Sequence, residues 1–387
     1  MTERERGLRP NRIIGLFPEL LGVGGVQEAG RLTAAALHEI GHRRGWPLDF
    51  LSLNDPPGIH AAQAGERRIP FQGFGRAKLR FVLSAMGRAR HFAKGLDLIV
   101  LAAHPNLAFP AAWMRRVSPG LKTVVMSHGI EVWRPLPALR RGALLQADLV
   151  LAPSGDTARK LTDVQGVSPE RIRTLAWPLN PDFLRLAGAP AGLPLPPAFP
   201  RQGRVILAVG RWAASERYKG ADELIRAVQQ LRATVPDLHL VAVGGGDDLP
   251  RLQNLAADLG VEDGVHFLTG LTREQIAACY ARADVFALPS TGEGFGLVFL
   301  EAMAFAKPVV GAACGGTTDV VEDGVNGLLV PPHDTERLVQ ALGRLLGDDA
   351  LRAELGRRGA QLVQQKYQFG VFQSELEEML GRMRPAE

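Results

Sequence analysis

The amino-acid sequence predicts an α/β protein with two doubly wound domains, each built around a mainly parallel sheet. Three observations lead to this fold class. Short apolar runs alternate with longer helical patterns along the chain, which is typical of parallel strands joined by crossover helices. The alternation occurs twice, and residues 177–203 between the two series contain seven prolines, as expected of a linker. A chain of 387 residues is long enough for two domains.

The predicted strands are short and rich in Val, Ile and Leu, which is typical of strands covered on both faces. In the first half they are "RIIGLF", "LDLIVLAA", "KTVVMSH" and "ADLVLAPS"; in the second half they are "RVILAVG", "LHLVAVG" and "ADVFALPS". Helical patterns lie between them, for example at 27–38 and 221–234, and the carboxyl-terminal tail is helical with no strand left to pair. Ligands of such folds bind at the carboxyl ends of the strands, so we expect functional residues directly after strands.

Composition excludes several classes of protein. The chain is 46% hydrophobic and 22% charged, which fits a soluble globular protein. Cys279 and Cys314 are the two cysteines, so we expect neither a disulfide framework nor a zinc site, and a reducing compartment fits best. No apolar segment has the length of a signal peptide core or a membrane span. We therefore expect a cytoplasmic protein.

The two halves of the chain differ in charge. Residues 1–180 hold 25 basic and 14 acidic side chains, whereas residues 181–387 hold 20 basic and 26 acidic ones. This asymmetry indicates different partners for the two domains.

Residues 67–94 carry eight basic side chains and no acidic one. On a helix, Arg76, Arg80, Arg90 and Lys94 would share a sector of roughly 80°, beside Leu79, Leu83 and Met86. A basic amphipathic helix can lie on anionic lipid or bind an anionic acceptor. The alternative is a solvated face that packs on its own domain. Nucleic acid fits less well because aromatic stacking residues are scarce in this segment.

Two motifs in the first half follow predicted strands. In "LLGVGGVQ", Gly24 and Gly25 allow close backbone approach, so the amide groups at the following helix can hold a phosphate; the alternative is a plain turn. Gln27 replaces the third glycine of the dinucleotide fingerprint, which disfavours a nicotinamide oxidoreductase. In "SHGIEVW", His128 can hydrogen-bond a sugar hydroxyl or a developing charge. His104 has the same placement after a strand and stays an alternative.

Two motifs in the second half suit a sugar nucleotide. In "GRWAASERYKG", Arg211 and Lys219 place two cations after one strand, where they can bind a diphosphate; a solvated loop is the alternative. In "TGEGFGLVFLEAM", the glycines Gly294 and Gly296 expose the amides of residues 295–298 at a helix start. Glu293 and Glu301 are acceptors that suit the donor hydroxyls of sugar rings.

Together these motifs resemble those of retaining glycosyltransferases of family 4, and the resemblance covers almost the whole chain. It is carried by "TGEGFGLVFLEAMAFAKPVV", "GRWAASERYKG", "GVGGVQ" and "ACGGTTDVVEDGVNGLLVPPHD". It implies the GT-B fold, in which two Rossmann-like domains face a central cleft. The predicted divisions are an acceptor-binding domain 1–180, a linker 181–202 and a nucleotide-sugar-binding domain 203–365, with the terminal helix 366–387 crossing back to the first domain.

The resemblance also implies a function. The enzyme would move a hexosyl unit, with retention, from a nucleoside-diphosphate sugar to a hydroxyl of an acceptor. It would need neither a cofactor nor a metal. The basic segment, rather than the resemblance, predicts a lipid-linked or anionic glycan acceptor of the cell envelope and a place on the inner face of the plasma membrane. The implied catalytic residues are His128, Arg211, Lys219 and Glu293. The implied donor-binding residues are Gly24, Gly25, Gly294, Phe295, Gly296, Leu297, Val298 and Glu301. The acceptor or membrane residues are predicted from the basic pattern and not from the resemblance; they are Arg76, Arg80, Arg90 and Lys94.

Two other functions fit the same architecture. A sugar-nucleotide epimerase or hydrolase would need no acceptor site, which leaves the basic segment without a role. A non-catalytic sugar-nucleotide sensor would keep Arg211 and Glu301 but would tolerate loss of Glu293. The sequence leaves open the donor base, the sugar, the linkage and the oligomeric state.

Overall fold

A computed structural model describes residues 12–91 and 98–383 and divides them into two compact units. The first unit comprises the described residues up to Asn180 together with those from Phe369 onward, and the second is Pro181–Gln368. Each unit is an α/β structure with its own sheet, which confirms the predicted fold class of two doubly wound domains.

The first unit contains eight strands and six helices within its described residues. The strands are β1 (Arg12–Phe17), β2 (Leu48–Ser52), β3 (Gly58–Ala64), β4 (Arg67–Gly73), β5 (Leu98–Ala102), β6 (Lys122–Met126), β7 (Leu149–Ala152) and β8 (Ile172–Thr174). The helices are α1 (Gly25–Arg44), α2 (Lys78–His91), α3 (Ala108–Met114), α4 (Ala138–Leu145), α5 (Gly155–Asp163) and, at the end of the chain, α14 (Phe369–Gly381).

The second unit contains six strands and eight helices. The strands are β9 (Arg204–Val209), β10 (Leu238–Val243), β11 (Val265–Leu268), β12 (Val285–Leu288), β13 (Val309–Ala312) and β14 (Gly327–Val330). The helices are α6 (Pro181–Gly188), α7 (Ala221–Leu231), α8 (Leu249–Asp258), α9 (Arg273–Arg282), α10 (Leu297–Ala304), α11 (Thr317–Val320), α12 (Thr335–Gly347) and α13 (Asp349–Lys366).

The strand orders place a topological switch point in each sheet. The first sheet has the order β3-β4-β2-β1-β5-β6-β7-β8, and the second has β11-β10-β9-β12-β13-β14. All pairs are parallel except β3 with β4. The order reverses between β1 and β5 in the first sheet and between β9 and β12 in the second. Loops that follow these strands are where ligands of open α/β sheets bind.

The strands follow from the sequence because they are apolar runs covered on both faces. The five residues of β5 are all buried, as are the four of β12. Buried residues of β1, β5, β6 and β7 form one core with residues of α2, α3 and α4. The helices that cover the sheets show the expected amphipathic pattern, for example α7 with Leu224, Ile225, Val228 and Leu231 buried.

Two segments differ from the sequence-based prediction. Residues 67–73, the first part of the basic segment 67–94, form β4, which was not among the predicted strands; β4 pairs antiparallel with β3, because a tight turn at Gly65 (φ 63°) folds the chain back on itself. The predicted linker 181–202 begins with α6, which packs on α9 within the second unit. Phe183 of α6 is buried there, with its ring edge-on to that of Tyr280.

The last helix, α14, lies in the first unit, where it packs on α1. Glu377 forms ion pairs with Arg43 and Arg44 at the end of α1. Gln373 donates a hydrogen bond to Glu39 at 2.8 Å. Within residues 12–91 and 98–383, no helix combines the length and apolar character that crossing a membrane would require.

Candidate active site

Three loops of the second unit meet at the carboxyl ends of neighbouring strands β9, β12 and β13. The first loop, 210–220, is tied to the second, 289–296, by the backbone N–H of Thr291, which donates to Tyr218 O at 2.8 Å. The third loop is tied to the second by Gly316 N–H, which donates to Glu293 O at 2.8 Å. The predicted diphosphate loop and the predicted sugar loop are therefore joined by backbone hydrogen bonds at the switch point of the sheet.

Glycines set the positions of these loops because a side chain would not fit. A Cβ at Gly220 would lie 2.7 Å from Pro289 Cγ, and this glycine also has a left-handed backbone (φ 76°). A Cβ at Gly316 would lie 2.5 Å from Gly294 O. A Cβ at Gly292 would lie 2.6 Å from the ring of Tyr218. These three glycines thus allow close contact between the loops.

Lys219 and Glu293 form the centre of this cluster. Lys219 Nζ lies 3.1 Å from Glu293 Oε1, and each side chain is 14% exposed. Lys219 Nζ also lies 3.9 Å from Glu216 Oε2. Burial, and secondarily the charge of Glu293, raises the pKa of the neighbouring Tyr218 to about 12. The cluster therefore presents a cation and a carboxylate side by side.

Arg211 joins the same cluster through Glu216, to which its guanidinium donates a hydrogen bond. The Arg211 side chain is 72% exposed, so it can reach a ligand in solvent. Arg217 is engaged elsewhere, since its Nη2 lies 3.0 Å from Asp248 Oδ1. Arg251 also pairs with Asp248, and this hydrogen bond is the main cause that lowers the pKa of Asp248. Arg211 and Lys219 are thus the cations that the loop directs toward Glu216 and Glu293.

Helix α10 begins directly after the sugar loop. Gly296 precedes it with a left-handed backbone (φ 96°) and provides no side-chain cap. The first amides of such a helix have no partner within the helix and can donate to an anion. Leu297 and Val298 are half-buried in the first turn, and the Phe295 side chain is buried with its ring 5.9 Å from that of Tyr367.

Glu301 lies on α10, two turns beyond Glu293 in sequence, and its carboxylate is held by a buried phenol. Tyr280 OH donates to Glu301 Oε2 at 2.8 Å. Tyr280 is completely buried, and burial together with Glu301 raises its pKa well above the usual value. The phenol therefore stays protonated and continues to donate at any ordinary pH.

In the first unit, the glycine loop follows β1 and leads into α1. Gly24 has a positive φ (146°), which favours glycine, and it precedes the helix without a side-chain cap. A Cβ at Gly25 would meet nothing within 4 Å, so this position is open. The neighbouring Val23 is 99% exposed. The N-terminus of a 20-residue helix is thus accessible to an anion.

Two residues that the sequence analysis did not single out hold the glycine loop. Buried Asp55 accepts the backbone N–H groups of Leu20 at 2.7 Å and Leu21 at 3.1 Å. Arg31 donates to Leu20 O at 3.1 Å and Gly22 O at 2.6 Å. Asp55 follows β2, and a position after a strand predicts a functional residue. This signal was lost because β2 was not among the predicted strands.

His128 and His104 lie together after β6 and β5. Their rings are stacked with centroids 5.6 Å apart, and His128 also stacks on Trp177 at 5.3 Å. His128 Nε2 lies 2.8 Å from Ala103 O and donates to it, which leaves Nδ1 as the acceptor nitrogen. His104 Nδ1 accepts from Asn106 N at 3.0 Å, so its proton sits on Nε2. Burial is the main cause that lowers the pKa of His104 to about 4. The two histidines are therefore neighbours in contact, and His128 stays the predicted site residue with His104 as the alternative.

The basic segment is only partly as predicted. Helix α2 begins at Lys78, so Arg76 lies before it with a left-handed backbone (φ 68°), and the shared helical sector does not include Arg76. Arg76, Arg80 and Arg90 are exposed, and no ion pair involves them within the described ranges. Leu79 and Leu83 are 72% and 59% exposed. Lys94 lies outside the described residues.

Three further residues of the second unit contact the site or its loop but were not predicted from the sequence as site residues. Tyr280, Glu216 and Asp248 make contacts with site residues or with the loop that holds them. No local pattern in the sequence pointed to Tyr280, because it lies on α9 and reaches Glu301 through packing. In the part of the chain that the structure describes, no three His, Cys, Asp or Glu side chains form a group that could hold a metal.

Comparison with known proteins identifies the family of this chain. Residues 23–183 match the family described as Glycosyltransferase Family 4, and residues 196–362 match the one described as Glycosyl transferases group 1. A GDP-mannose-dependent α-(1-6)-phosphatidylinositol monomannoside mannosyltransferase of Mycolicibacterium smegmatis is 34% identical over 309 residues, covering 75% of this chain and 78% of that protein. A D-inositol 3-phosphate glycosyltransferase of Nocardia farcinica is 37% identical over 398 residues, covering 92% and 85%.

Among solved structures, similar folds include Anabaena HepE in complex with UDP and a glycosyltransferase from Rickettsia africae. The first has a TM-score of 0.70 at 19% identity and covers 96% of this chain and 100% of its own. The second has a TM-score of 0.74 at 18% identity and covers 97% and 100%. The chain is therefore a glycosyltransferase that belongs to group 1 and family 4.

Proposed function

We propose that this enzyme transfers a hexosyl unit, with retention, from a nucleoside-diphosphate sugar to an acceptor hydroxyl, without a metal ion. The observation that carries the proposal is the contact of Lys219 Nζ with Glu293 Oε1 at 3.1 Å, in loops that backbone hydrogen bonds join at the switch point. A cation for the leaving diphosphate and a carboxylate for the sugar hydroxyls are thereby adjacent, as transfer from a sugar nucleotide requires.

The proposed reaction breaks the bond between the anomeric carbon and the β-phosphate oxygen. The electron pair leaves with the diphosphate, whose charge Arg211, Lys219 and the first amides of α10 stabilise. The acceptor oxygen bonds to the anomeric carbon from the same face, and its proton passes to the departing phosphate oxygen. Glu293 and Glu301 hold hydroxyl groups of the donor, and His128 contacts the sugar. The two side-chain cations perform the charge stabilisation that a divalent ion supplies in other transferases.

For the donor, GDP-mannose is the first candidate, because the 34% identical mannosyltransferase is named for it. UDP sugars are the second candidate, since the structural neighbour HepE binds UDP. The test incubates the protein with each radiolabelled donor and an acceptor, then determines the anomeric configuration of the product by NMR. Retention and activity without added metal in the presence of EDTA are expected. An inverted product, or activity that depends on a divalent ion, would refute the corresponding part of the proposal.

For the acceptor, we propose a lipid-linked molecule that carries an inositol phosphate. Both relatives are named for acceptors of this chemistry, one a phosphatidylinositol mannoside and the other D-inositol 3-phosphate. The exposed basic side chains Arg80 and Arg90, with exposed Leu79 and Leu83 on the same helix, suit an anionic membrane surface. The enzyme would then act on the inner face of the plasma membrane.

This proposal has a matched test in sedimentation with vesicles of phosphatidylcholine and phosphatidylinositol. The double variant Leu79→Glu/Leu83→Glu should bind at least about tenfold more weakly than the wild type. Leu139→Glu on α4, where the leucine is 73% exposed, is the control and should bind like the wild type. Equal transfer to soluble D-inositol 3-phosphate and to phosphatidylinositol, with no vesicle binding, would assign a soluble acceptor instead.

A further inference from the structure

Glu216 is a carboxylate that the proposed reaction does not use, although it touches both cations of the diphosphate loop. It accepts a hydrogen bond from Arg211 Nη2, and its Oε2 lies 3.9 Å from Lys219 Nζ. Its side chain is 11% exposed, so water provides little alternative solvation for its charge. It lies in the 3₁₀ segment Ala214–Lys219, at the one residue of that segment with non-helical dihedrals (φ −121°, ψ 28°).

The charges of this cluster are balanced before any ligand enters. Arg211 and Lys219 carry two positive charges, and Glu216 and Glu293 carry two negative ones. Arg217 adds no further cation for a ligand, because it pairs with Asp248 at 3.0 Å. A diphosphate that binds Arg211 and Lys219 must therefore compete with carboxylates that already hold them.

Glu293 and Glu216 differ in the hydrogen-bond donors that they gain when a donor substrate binds. Glu293 is joined to the sugar loop, and sugar hydroxyls give it new donors when the donor substrate is bound. Glu216 precedes Lys219 in the same loop and gains no such partner from a sugar. When the cations turn to a diphosphate, Glu216 is left as an uncompensated negative charge near the phosphate oxygens. Such a like-charge contact weakens the binding of the diphosphate.

We propose that Glu216 is a built-in counter-anion that competes with the diphosphate for Arg211 and Lys219 and so promotes release of the nucleoside diphosphate product. Without a ligand, Glu216 holds the side chains of Arg211 and Lys219 in place. After transfer, it pairs with both cations again as the diphosphate leaves. It is a positioning residue rather than a catalytic one, because it acts through the two cations. This inference rests on the proposed function, since it requires that the cations bind a diphosphate.

The test measures the binding of GDP and of UDP by titration calorimetry to the wild type and to Glu216→Gln. Glutamine keeps the size and one oxygen acceptor but removes the charge. The variant should bind the diphosphate that the wild type prefers about 3- to 10-fold more tightly, which is the range of a modest ion pair. In turnover, the inhibition constant of this product and the KM for the donor should fall together. Glu262→Gln, at an exposed 3₁₀ turn before β11, is the matched control and should leave both unchanged.

Salt provides the second measurement, because competition between charges is screened. The ratio of the two dissociation constants should shrink toward 1 as NaCl is raised from low to about 1 M. Unchanged or weaker binding of the diphosphate by Glu216→Gln would overturn the inference and leave Glu216 as a support of the loop alone. A ratio of dissociation constants that salt does not alter would overturn it as well. If the wild type itself bound neither GDP nor UDP, the proposed function would be refuted. Failure of the proposed function is therefore distinguishable from failure of the inference about Glu216.

Discussion

Lys219 Nζ lies 3.1 Å from Glu293 Oε1, although 74 residues separate the two in the sequence. Their loops follow β9 and β12, which are neighbours in the second sheet but not consecutive along the chain. The fold therefore brings together the cation of one motif and the carboxylate of another. Each is little exposed, so the pair has limited freedom to move apart.

Replacing Lys219 should reduce catalysis far more than stability. In Lys219→Ala, the leaving diphosphate loses a charge-assisted donor, and kcat/KM should fall by roughly 100- to 1,000-fold. The free energy of unfolding should fall by about 1–2 kcal/mol, because Lys219 faces both Glu293 and Glu216, and all three side chains keep a little contact with water. Steady-state kinetics and urea denaturation measure the two effects. Lys366→Ala, at the exposed end of α13, is the control; a similar loss of activity in both variants would contradict the assignment.

Removing the phenol that orients Glu301 should affect both folding and donor affinity. Tyr280→Phe deletes the hydrogen bond of 2.8 Å to Glu301 Oε2, and we expect a loss of about 1–3 kcal/mol in the free energy of unfolding. The KM for the donor should rise while kcat changes little. Tyr367→Phe makes the same chemical change where the hydroxyl contact is 3.5 Å long, and should lose clearly less. Equal losses of stability in the two variants would show that the hydrogen bond from Tyr280 to Glu301 contributes no more than the longer contact of Tyr367.

The close approach of the loops at Gly316 should not tolerate a methyl group. In Gly316→Ala the new Cβ would lie 2.5 Å from Gly294 O and 2.7 Å from Phe295 Cα. The sugar loop must move, which should cost about 1–3 kcal/mol of stability and on the order of 100-fold in kcat/KM. Gly142→Ala in α4 is the control, since a Cβ there meets nothing within 4 Å; it should be stable and active. An active Gly316→Ala enzyme would show that the loop position is not critical.

The partly buried imidazole of His104 makes stability depend on pH in a defined direction. Its pKa is lowered to about 4 in the folded protein, against about 6.5 when unfolded. Between these values the unfolded chain binds the extra proton, so stability is lost as pH falls from 6.5 to 4, by at most about 3 kcal/mol, and this contribution is constant above pH 6.5.

Urea denaturation at a series of pH values tests this prediction. His104→Gln cannot take up a proton and should show a flatter profile between pH 4 and 6.5 than the wild type. Identical profiles for the two proteins would mean that His104 is not buried as a neutral group. Transfer activity at pH 7 provides a separate readout of its place beside His128.

Local patterns in the sequence determined much of the fold and the identity of the site motifs. Apolar runs such as "ADVFALPS" predicted buried strands, and β12 lies within that run. Glycine, lysine and glutamate residues directly after strands predicted a ligand site, because the carboxyl ends of parallel strands meet at one edge. The strand inference succeeded because it depends on spacing along the chain, which can be read from one sequence; the ligand site stays a prediction.

Only the tertiary structure decided which side chains meet. The partners of Glu216, the phenol that holds Glu301 and the carboxylate of Asp55 under the glycine loop were not predicted. Neither was the β3–β4 hairpin, in which burial alternates clearly along β4 but not along the first half of β3. These features depend on strand order and on side-chain packing between distant segments, and a single sequence holds no local signal for either. The sequence thus determined the kinds of groups available to bind a sugar nucleotide, and packing determined which of them share one charge-balanced cluster.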